Sequence, residues 1–302
     1  MTEGEGPRCA LHFDAPSLAP CQRCGRFCCQ TCLVEREPPL CSACAPSVVD
    51  PYGIHARAFE LVPAFVAAFK LVLAELPNLL ALVVIFALPS AALQVALVGT
   101  GDDLKTVSTS IRIGTFYEFF VGLVGAQAML ALFIARSQGR RLSLGAALNE
   151  GVQNWRRAAG ARFRAGLTIF AFALLLVLPA FWKMTMLMFS SIAVLRSHDR
   201  DALDASEQLV RGRFGLCFGF ALAAIGVCYV PMFIGLTIIG VLSEALTLPR
   251  FPMEFVTDVV DRFSQDVAMA SLLYVAYVML HRTAGIELAP MRWHRVPPLS
   301  GE

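Results

Sequence analysis

The chain has 302 residues, of which 57% are hydrophobic and 16% are charged, and its mean hydropathy is +0.63. A soluble domain is usually about a quarter charged, so this composition excludes an ordinary soluble protein and indicates one embedded in membrane lipids. The formal net charge is only +2, because 25 basic residues are nearly matched by 23 acidic ones, which argues against a nucleic-acid partner.

The amino-terminal residues carry Glu3 and Glu5 and contain no apolar run. They therefore lack the features of a secretory signal or a transit peptide, and we expect the amino terminus to stay in the cytosol. Thiols are kept reduced in that compartment, so cysteine pairs there indicate metal binding more than disulfides.

Four pairs of potential metal ligands fall within the first 44 residues, and each pair has two residues between its members. The eight residues are Cys9, His12, Cys21, Cys24, Cys29, Cys32, Cys41 and Cys44. This spacing lets one tight turn present two ligands to a tetrahedral ion, so the set predicts two zinc ions. A disulfide knot and an iron–sulfur site are the less favoured alternatives. Cys28 breaks the spacing and is expected not to be a ligand.

Zinc also has to supply the folding energy of this head. About 45 residues with few large apolar side chains cannot bury enough surface to fold alone. Gly25 is expected to take the positive φ that a turn between ligands often needs, and Phe27 to pack beside the sites. A site with four protein ligands has no open position for substrate, so we expect no catalysis there. Binding of a cytosolic protein partner is the expected role.

Residues 8–46 resemble a B-box-type zinc finger, a module with two interleaved, cross-braced zinc sites. The resemblance implies that Cys9, His12, Cys29 and Cys32 hold one ion and that Cys21, Cys24, Cys41 and Cys44 hold the other. The chain departs from that family in ending with a Cys-x-x-Cys pair where a B-box usually has histidines. Sequential pairing, first pair with second and third with fourth, is the alternative.

The sequence divides into a zinc-binding domain (1–46), a linker (47–55), a helical transmembrane domain (56–285) and a cytoplasmic tail (286–302). The expected fold is thus a small cross-braced zinc domain plus an all-α polytopic bundle. Apolar length predicts six crossings. Four are single helices at 78–98, 113–135, 214–246 and 267–281. The other two are short helices within 165–195, separated by a break at 179–183. The arginine-rich segment 136–164 indicates a cytoplasmic loop. With six crossings, this places both termini on the cytoplasmic side of the plasma (inner) membrane.

Three further segments mix charged and apolar residues, and we expect them to form interfacial amphipathic helices at 56–76, 143–160 and 202–215. The acidic segment 249–266 is expected to be an outside loop. Within the crossings, Glu118, Lys183 and Glu244 are expected near helix ends, where their side chains can reach the interface. A carboxylate-lined path for a substrate or proton is the alternative.

The stretches LLLVLPAFW and ALDASEQLVRGRFG, at 174–182 and 202–215, are similar to an uncharacterised six-helix membrane family over about 56–285. Its relatives include the membrane domain fused to some glycerophosphodiester phosphodiesterases. The resemblance implies an all-helical bundle with a cytoplasmic amphipathic helix before the fifth crossing. It implies no phosphodiesterase activity, and Ala180 stands where the family usually has glycine.

No nucleophile elbow, zinc-protease motif or phosphate-binding loop occurs in the chain. The sequence therefore favours a non-enzymatic membrane protein whose cytosolic two-zinc module mediates a protein interaction or regulation. The alternative is a small-molecule or lipid transporter, or a membrane-organising protein, with a regulatory zinc head.

Overall fold

A computed structural model of the chain describes residues 8–10, 17–21, 25–29, 33–34, 40–41, 50–55, 57–97, 104–196, 201–246, 249–286 and 288. Within these residues, short strands near the amino terminus are followed by a long helical body. The predicted tail at 286–302 lies almost wholly outside the described residues.

The described part of the head contains two short antiparallel hairpins. Strands β1 (Ala19–Pro20) and β2 (Phe27–Cys28) pair with each other, as do β3 (Leu33–Val34) and β4 (Leu40–Cys41). Gly25 lies in the turn between β1 and β2 at φ +71°, a conformation that only glycine adopts without strain. The expected positive φ is therefore confirmed.

The body consists of long helices, two of which are interrupted by π-helical turns. The helices are α1 (Leu61–Leu97), α2 (Leu104–Tyr117), α3 (Leu123–Ser137), α4 (Leu144–Leu175), α5 (Val177–Leu187), α6 (Ser190–Arg196), α7 (Ala202–Val210), α8 (Phe214–Leu246), α9 (Arg250–Arg262) and α10 (Ala270–Ala284). A π segment at Glu118–Gly122 joins α2 to α3, and another at Phe263–Met269 joins α9 to α10.

Six helical stretches of the described chain are long and apolar enough to cross a membrane. They are Leu61–Leu97, Ser108–Ser137, Leu144–Leu175, Val177–Arg196, Phe214–Val241 and Phe251–Ala284. The prediction of an integral membrane protein with six membrane-length helices is confirmed.

Two of the expected interfacial helices are not separate elements. The segment 56–76 is largely the first half of α1, which continues through Pro77 and Pro89. The segment 143–160 is likewise the first half of α4. Proline is tolerated inside membrane helices because neighbouring groups satisfy the freed carbonyl, so Pro77 does not divide α1.

The break between the third and fourth spans lies at Leu176, earlier than the expected 179–183. Leu176 is extended (φ −165°, ψ 148°), and α5 begins at the next residue. Pro179 therefore falls in the first turn of α5, where a missing N–H removes no helical hydrogen bond. Both spans are consequently longer than the two short helices predicted.

The prediction of a loop at 249–266 is wrong, because most of the segment forms α9 and packs against α1. The side of the membrane on which it lies stays a prediction. The acids Glu254, Asp258 and Asp261 recur at helical spacing along α9. Val259 and Phe263 meanwhile pack against the main core. The segment was assigned to a loop from its acid content, although its apolar residues have the spacing of an amphipathic helix.

Helix α7 confirms the amphipathic helix expected before the fifth crossing. Asp201 caps its amino terminus by accepting a hydrogen bond from the Leu203 N–H at 3.0 Å. Ser206 and Leu209 are buried, and the Ser206 hydroxyl donates to the Met186 carbonyl oxygen at 2.7 Å. The helix thus packs on α5 as well as against the core.

Candidate functional site

Three of the predicted zinc ligands have described side chains, and all three are buried. Cys9 and Cys21 are each 1% exposed and Cys29 is 4% exposed. Phe27, which we expected to pack beside the sites, is 43% exposed and contradicts that expectation. The interior of the described head is therefore lined by sulfur, with its aromatic residue outside.

A tight turn follows Cys21. The Cys21 N–H donates to the Arg26 carbonyl oxygen, and the Cys21 carbonyl oxygen accepts from the Gly25 N–H, both at 2.8 Å. These two bonds close the chain around the intervening residues, and the positive φ of Gly25 lets the strand return as β2. The turn lies between the second and third cysteine pairs, and thiolates at this spacing are a donor set that fits zinc.

The strand pairings leave both ligand pairings open. The Ala10 N–H donates to the Phe27 carbonyl oxygen at 2.9 Å, so the chain at the first ligand pair lies beside the strand that leads into the third. Leu33 in turn pairs with Cys41, which brings the third and fourth pairs together. The first contact suits interleaved sites and the second suits sequential ones.

His12, Cys24, Cys32 and Cys44 lie outside the described residues, as does the side chain of Cys41. Within the described part of the chain, no three His, Cys, Asp or Glu side chains converge as a metal site. At most two ligands of each predicted four-ligand site belong to the described residues, so the ligand set stays a prediction. Cys28 is 2% exposed, and its thiol donates to the Arg26 carbonyl oxygen at 3.3 Å, as a protonated non-ligand can.

A second group of functional candidates lies inside the helical body. The Arg262 guanidinium donates to the Glu118 carboxylate across two spans, and its Nη1 lies 3.5 Å from Asp266 Oδ2. The Arg262 side chain is 5% exposed, and its centre lies 5.4 Å from the Tyr117 ring centroid. One arginine thus pairs with two acids within membrane-length helices, where an unpaired charge is costly.

Both π segments meet at this cluster. Glu118 opens the first, and Arg262 directly precedes the second, which contains Asp266. A Cβ added at Gly122 would collide with the Glu118 carboxylate, so glycine at that position allows Glu118 to fold back over the helix. Single π turns inside α-helices often mark functional sites.

Asp266 also lines a cavity of about 470 Å³ that is open at one side. Helices α3 to α6, Tyr229 of α8 and the second π segment form its walls.

Sequence reasoning singled out Glu118 but missed Arg262 and Asp266. The signal was an arginine and an acid four residues apart, which the assignment of 249–266 to a loop concealed.

Lys183 also forms an ion pair within the protein. Its Nζ lies 2.6 Å from the Glu207 Oε1 of α7, and both side chains are mostly buried. The ammonium lies 5.6 Å from the centre of the Phe172 ring as well. We expected Lys183 to reach the interface by itself, but it is held between α5 and α7. The side chain of Glu244 lies outside the described residues.

The predicted linker is partly built into the body. Asp50 accepts hydrogen bonds from the N–H groups of Ile54 and His55, both at 2.8 Å, which closes a turn. Ile54 is 0% exposed within the main core. The Tyr52 hydroxyl accepts a bond from Arg136 Nε at 3.1 Å. Residues 50–55 therefore attach to the body, and Arg136 also lies 3.5 Å from the buried Glu75.

Comparison with protein-family models, curated proteins and solved structures finds no match to this chain.

Proposed function

We propose that the chain is a non-enzymatic integral membrane protein in which a cytosolic two-zinc head captures or senses a protein partner. The six-helix body anchors that head in the plasma membrane, with both termini on the cytoplasmic side. The observation that carries the proposal is the burial of Cys9, Cys21 and Cys29, in a head whose sequence has few large apolar side chains. Buried cysteines at metal-knuckle spacing are suited to zinc.

Zinc bound by the eight predicted residues would supply folding energy to the head. Four protein ligands per ion close the coordination sphere, so the metal has a structural role and the surface around it does the binding. The exposed Arg26 beside the turn is available to a partner. Mixed charge on a small folded surface is typical of protein recognition.

The docked linker supports a regulatory reading of the head. Tyr52 and Ile54 link the segment after the head to Arg136 and to the core of the body. A partner that changes the position of the head can therefore act on the Tyr52–Arg136 contact. This route needs no catalytic group in the membrane.

The test compares partner capture by the full chain with capture by two variants, after crosslinking in membranes. Deletion of residues 1–46 removes the head but keeps Asp50 and the turn that it stabilises. The double substitution Cys21→Ser, Cys24→Ser removes two predicted ligands. We expect both variants to insert in the membrane and to lose the crosslinked partner. Equal capture by all three proteins would contradict the proposal.

A second function is favoured by the Glu118–Arg262–Asp266 cluster and the cavity beside it. These features suit a small-molecule or lipid transporter, or a membrane-organising protein, whose zinc head is regulatory. Flux of labelled substrates into reconstituted vesicles tests this alternative. Glu118→Gln should change flux without loss of folded protein, and unchanged flux for every substrate class would count against it.

A further inference from the structure

The cavity of about 470 Å³ has the size of a ligand site and an unusual combination of lining groups. Its walls are mainly leucine, isoleucine, methionine and alanine side chains. The polar lining groups are Arg162, Ser190, Ser191, Tyr229, Gln265 and Asp266. An apolar pocket with a few convergent polar groups is the usual form of a small-molecule site.

The cavity is partly open, and several of its lining residues are exposed. They include Arg162 and Gly166 of α4 and Met184 of α5. Leu167 and Phe170, on the same helix as Arg162, are 58% and 60% exposed. Large apolar side chains exposed along a membrane-length helix face lipid, so a ligand reaches this cavity from the bilayer.

The two charged lining groups have opposite signs, and both have capacity for a ligand. Arg162 makes no ion pair with any described residue, and its guanidinium is suited to a phosphate. Asp266 Oδ2 lies 3.5 Å from Arg262 Nη1, and Glu118 pairs with the other terminal nitrogen of the same guanidinium. A cationic group on the ligand would give the Asp266 carboxylate a second partner inside the cavity.

The cationic group is further specified by what lines the cavity. Among the described residues, Tyr229 is the one aromatic side chain that lines the cavity, whereas quaternary ammonium groups are typically bound by several aromatic faces. The carboxylate of Asp266, the amide oxygen of Gln265 and the two serine hydroxyls are instead hydrogen-bond acceptors. They suit a primary ammonium, which has three N–H donors.

We propose that this cavity binds a phospholipid with a primary-ammonium headgroup, with its phosphate at Arg162, its ammonium at Asp266 and an acyl chain along the leucine and methionine walls. The proposal concerns binding and does not depend on the zinc head. It names a ligand for the second function above, but it also holds if the body binds lipid without moving it.

The test is titration of the purified full chain in detergent with phosphatidylethanolamine, phosphatidylcholine and phosphatidylglycerol, with bound lipid counted by native mass spectrometry. We expect saturable binding of phosphatidylethanolamine. Arg162→Gln and Asp266→Asn should each weaken it on the order of tenfold, the value of one charge-assisted hydrogen bond. The matched control is Arg164→Gln, because Arg164 lies on the same helix but pairs with Asp201.

Asp266→Asn could disturb the Arg262 cluster, so a third variant leaves the charges intact. Gly166→Leu adds a side chain at an exposed residue of the cavity lining, where nothing lies within 4 Å of a new Cβ, and it should also reduce lipid binding. Equal binding of phosphatidylcholine would overturn the ammonium assignment, and stronger binding of phosphatidylglycerol would overturn the role of Asp266. Unsaturable binding, or equal binding by all variants, would overturn the site itself. Because the readout is bound lipid, failure here is separable from failure to transport.

Discussion

Removing the Arg262 guanidinium should destabilise the helical body strongly. Arg262→Met keeps a long apolar side chain but leaves Glu118 and Asp266 without their cation. Breaking a buried ion pair from one side costs about 3–5 kcal/mol. The Arg262 side chain is 5% exposed, but that of Glu118 is 38% exposed, so solvent screens part of the remaining charge. We therefore expect a loss of about 3 kcal/mol in the free energy of unfolding.

The assay is equilibrium unfolding in mixed micelles, with a double-mutant cycle that adds Glu118→Gln. That single change should cost about 1 kcal/mol, because an amide oxygen still accepts a hydrogen bond from Arg262. The double variant should be more stable than the sum of the two losses predicts, with a coupling of about 1–2 kcal/mol. Arg211→Met, at an exposed position after α7, is the control and should change stability by less than about 0.5 kcal/mol. Additive losses within about 0.5 kcal/mol would refute the ion pair.

Three further changes test the packing of the body. Gly151→Ala should cost about 1–3 kcal/mol of unfolding free energy, because its Cβ would collide with the Val124 carbonyl oxygen, while Gly145→Ala, with open space around it, should cost nothing; equal effects would contradict the close packing of α3 and α4. The pKa of Asp201 is lowered, first by the Leu203 N–H and then by Arg164. Its stabilisation is therefore present above the unfolded value of about 3.9 and is lost as the pH falls through the folded pKa. Wild type should lose stability relative to Asp201→Asn below about pH 4 in acid unfolding, and parallel pH curves would contradict this. Tyr52→Phe should cost about 1 kcal/mol in thermal unfolding through the lost Arg136 bond, and no change would count against linker docking.

The spans were predictable because apolar length alone identifies a membrane helix. The stretch after Pro77 carries no charge for more than one crossing, and α1 contains it. The ends of the helices were harder to predict, because they depend on contacts with residues distant in sequence. Glu75, which suggested an interface, is buried beside Arg136 of another helix, with its Oε2 accepting from Asn78.

Contacts between residues far apart in the sequence could not be predicted from local sequence patterns. Glu118 and Arg262 are 144 residues apart. Glu118 was explained as a residue near a helix end, and Arg262 as part of a loop. The same holds for the buried Arg196, whose Nη2 donates to the Tyr274 hydroxyl at 3.1 Å. Local chemistry was more informative in the head, where the spacing around Gly25 specified the turn that follows Cys21.

Zinc binding by the head is tested most directly by the zinc content of the purified full chain, measured by elemental mass spectrometry together with its free thiols. We expect two zinc ions per chain, with every ligand cysteine released as a thiol when the metal is chelated. Cys21→Ser, Cys24→Ser should hold at most one ion. A folded wild-type head without zinc, or one whose cysteines are oxidised in pairs, would contradict the account.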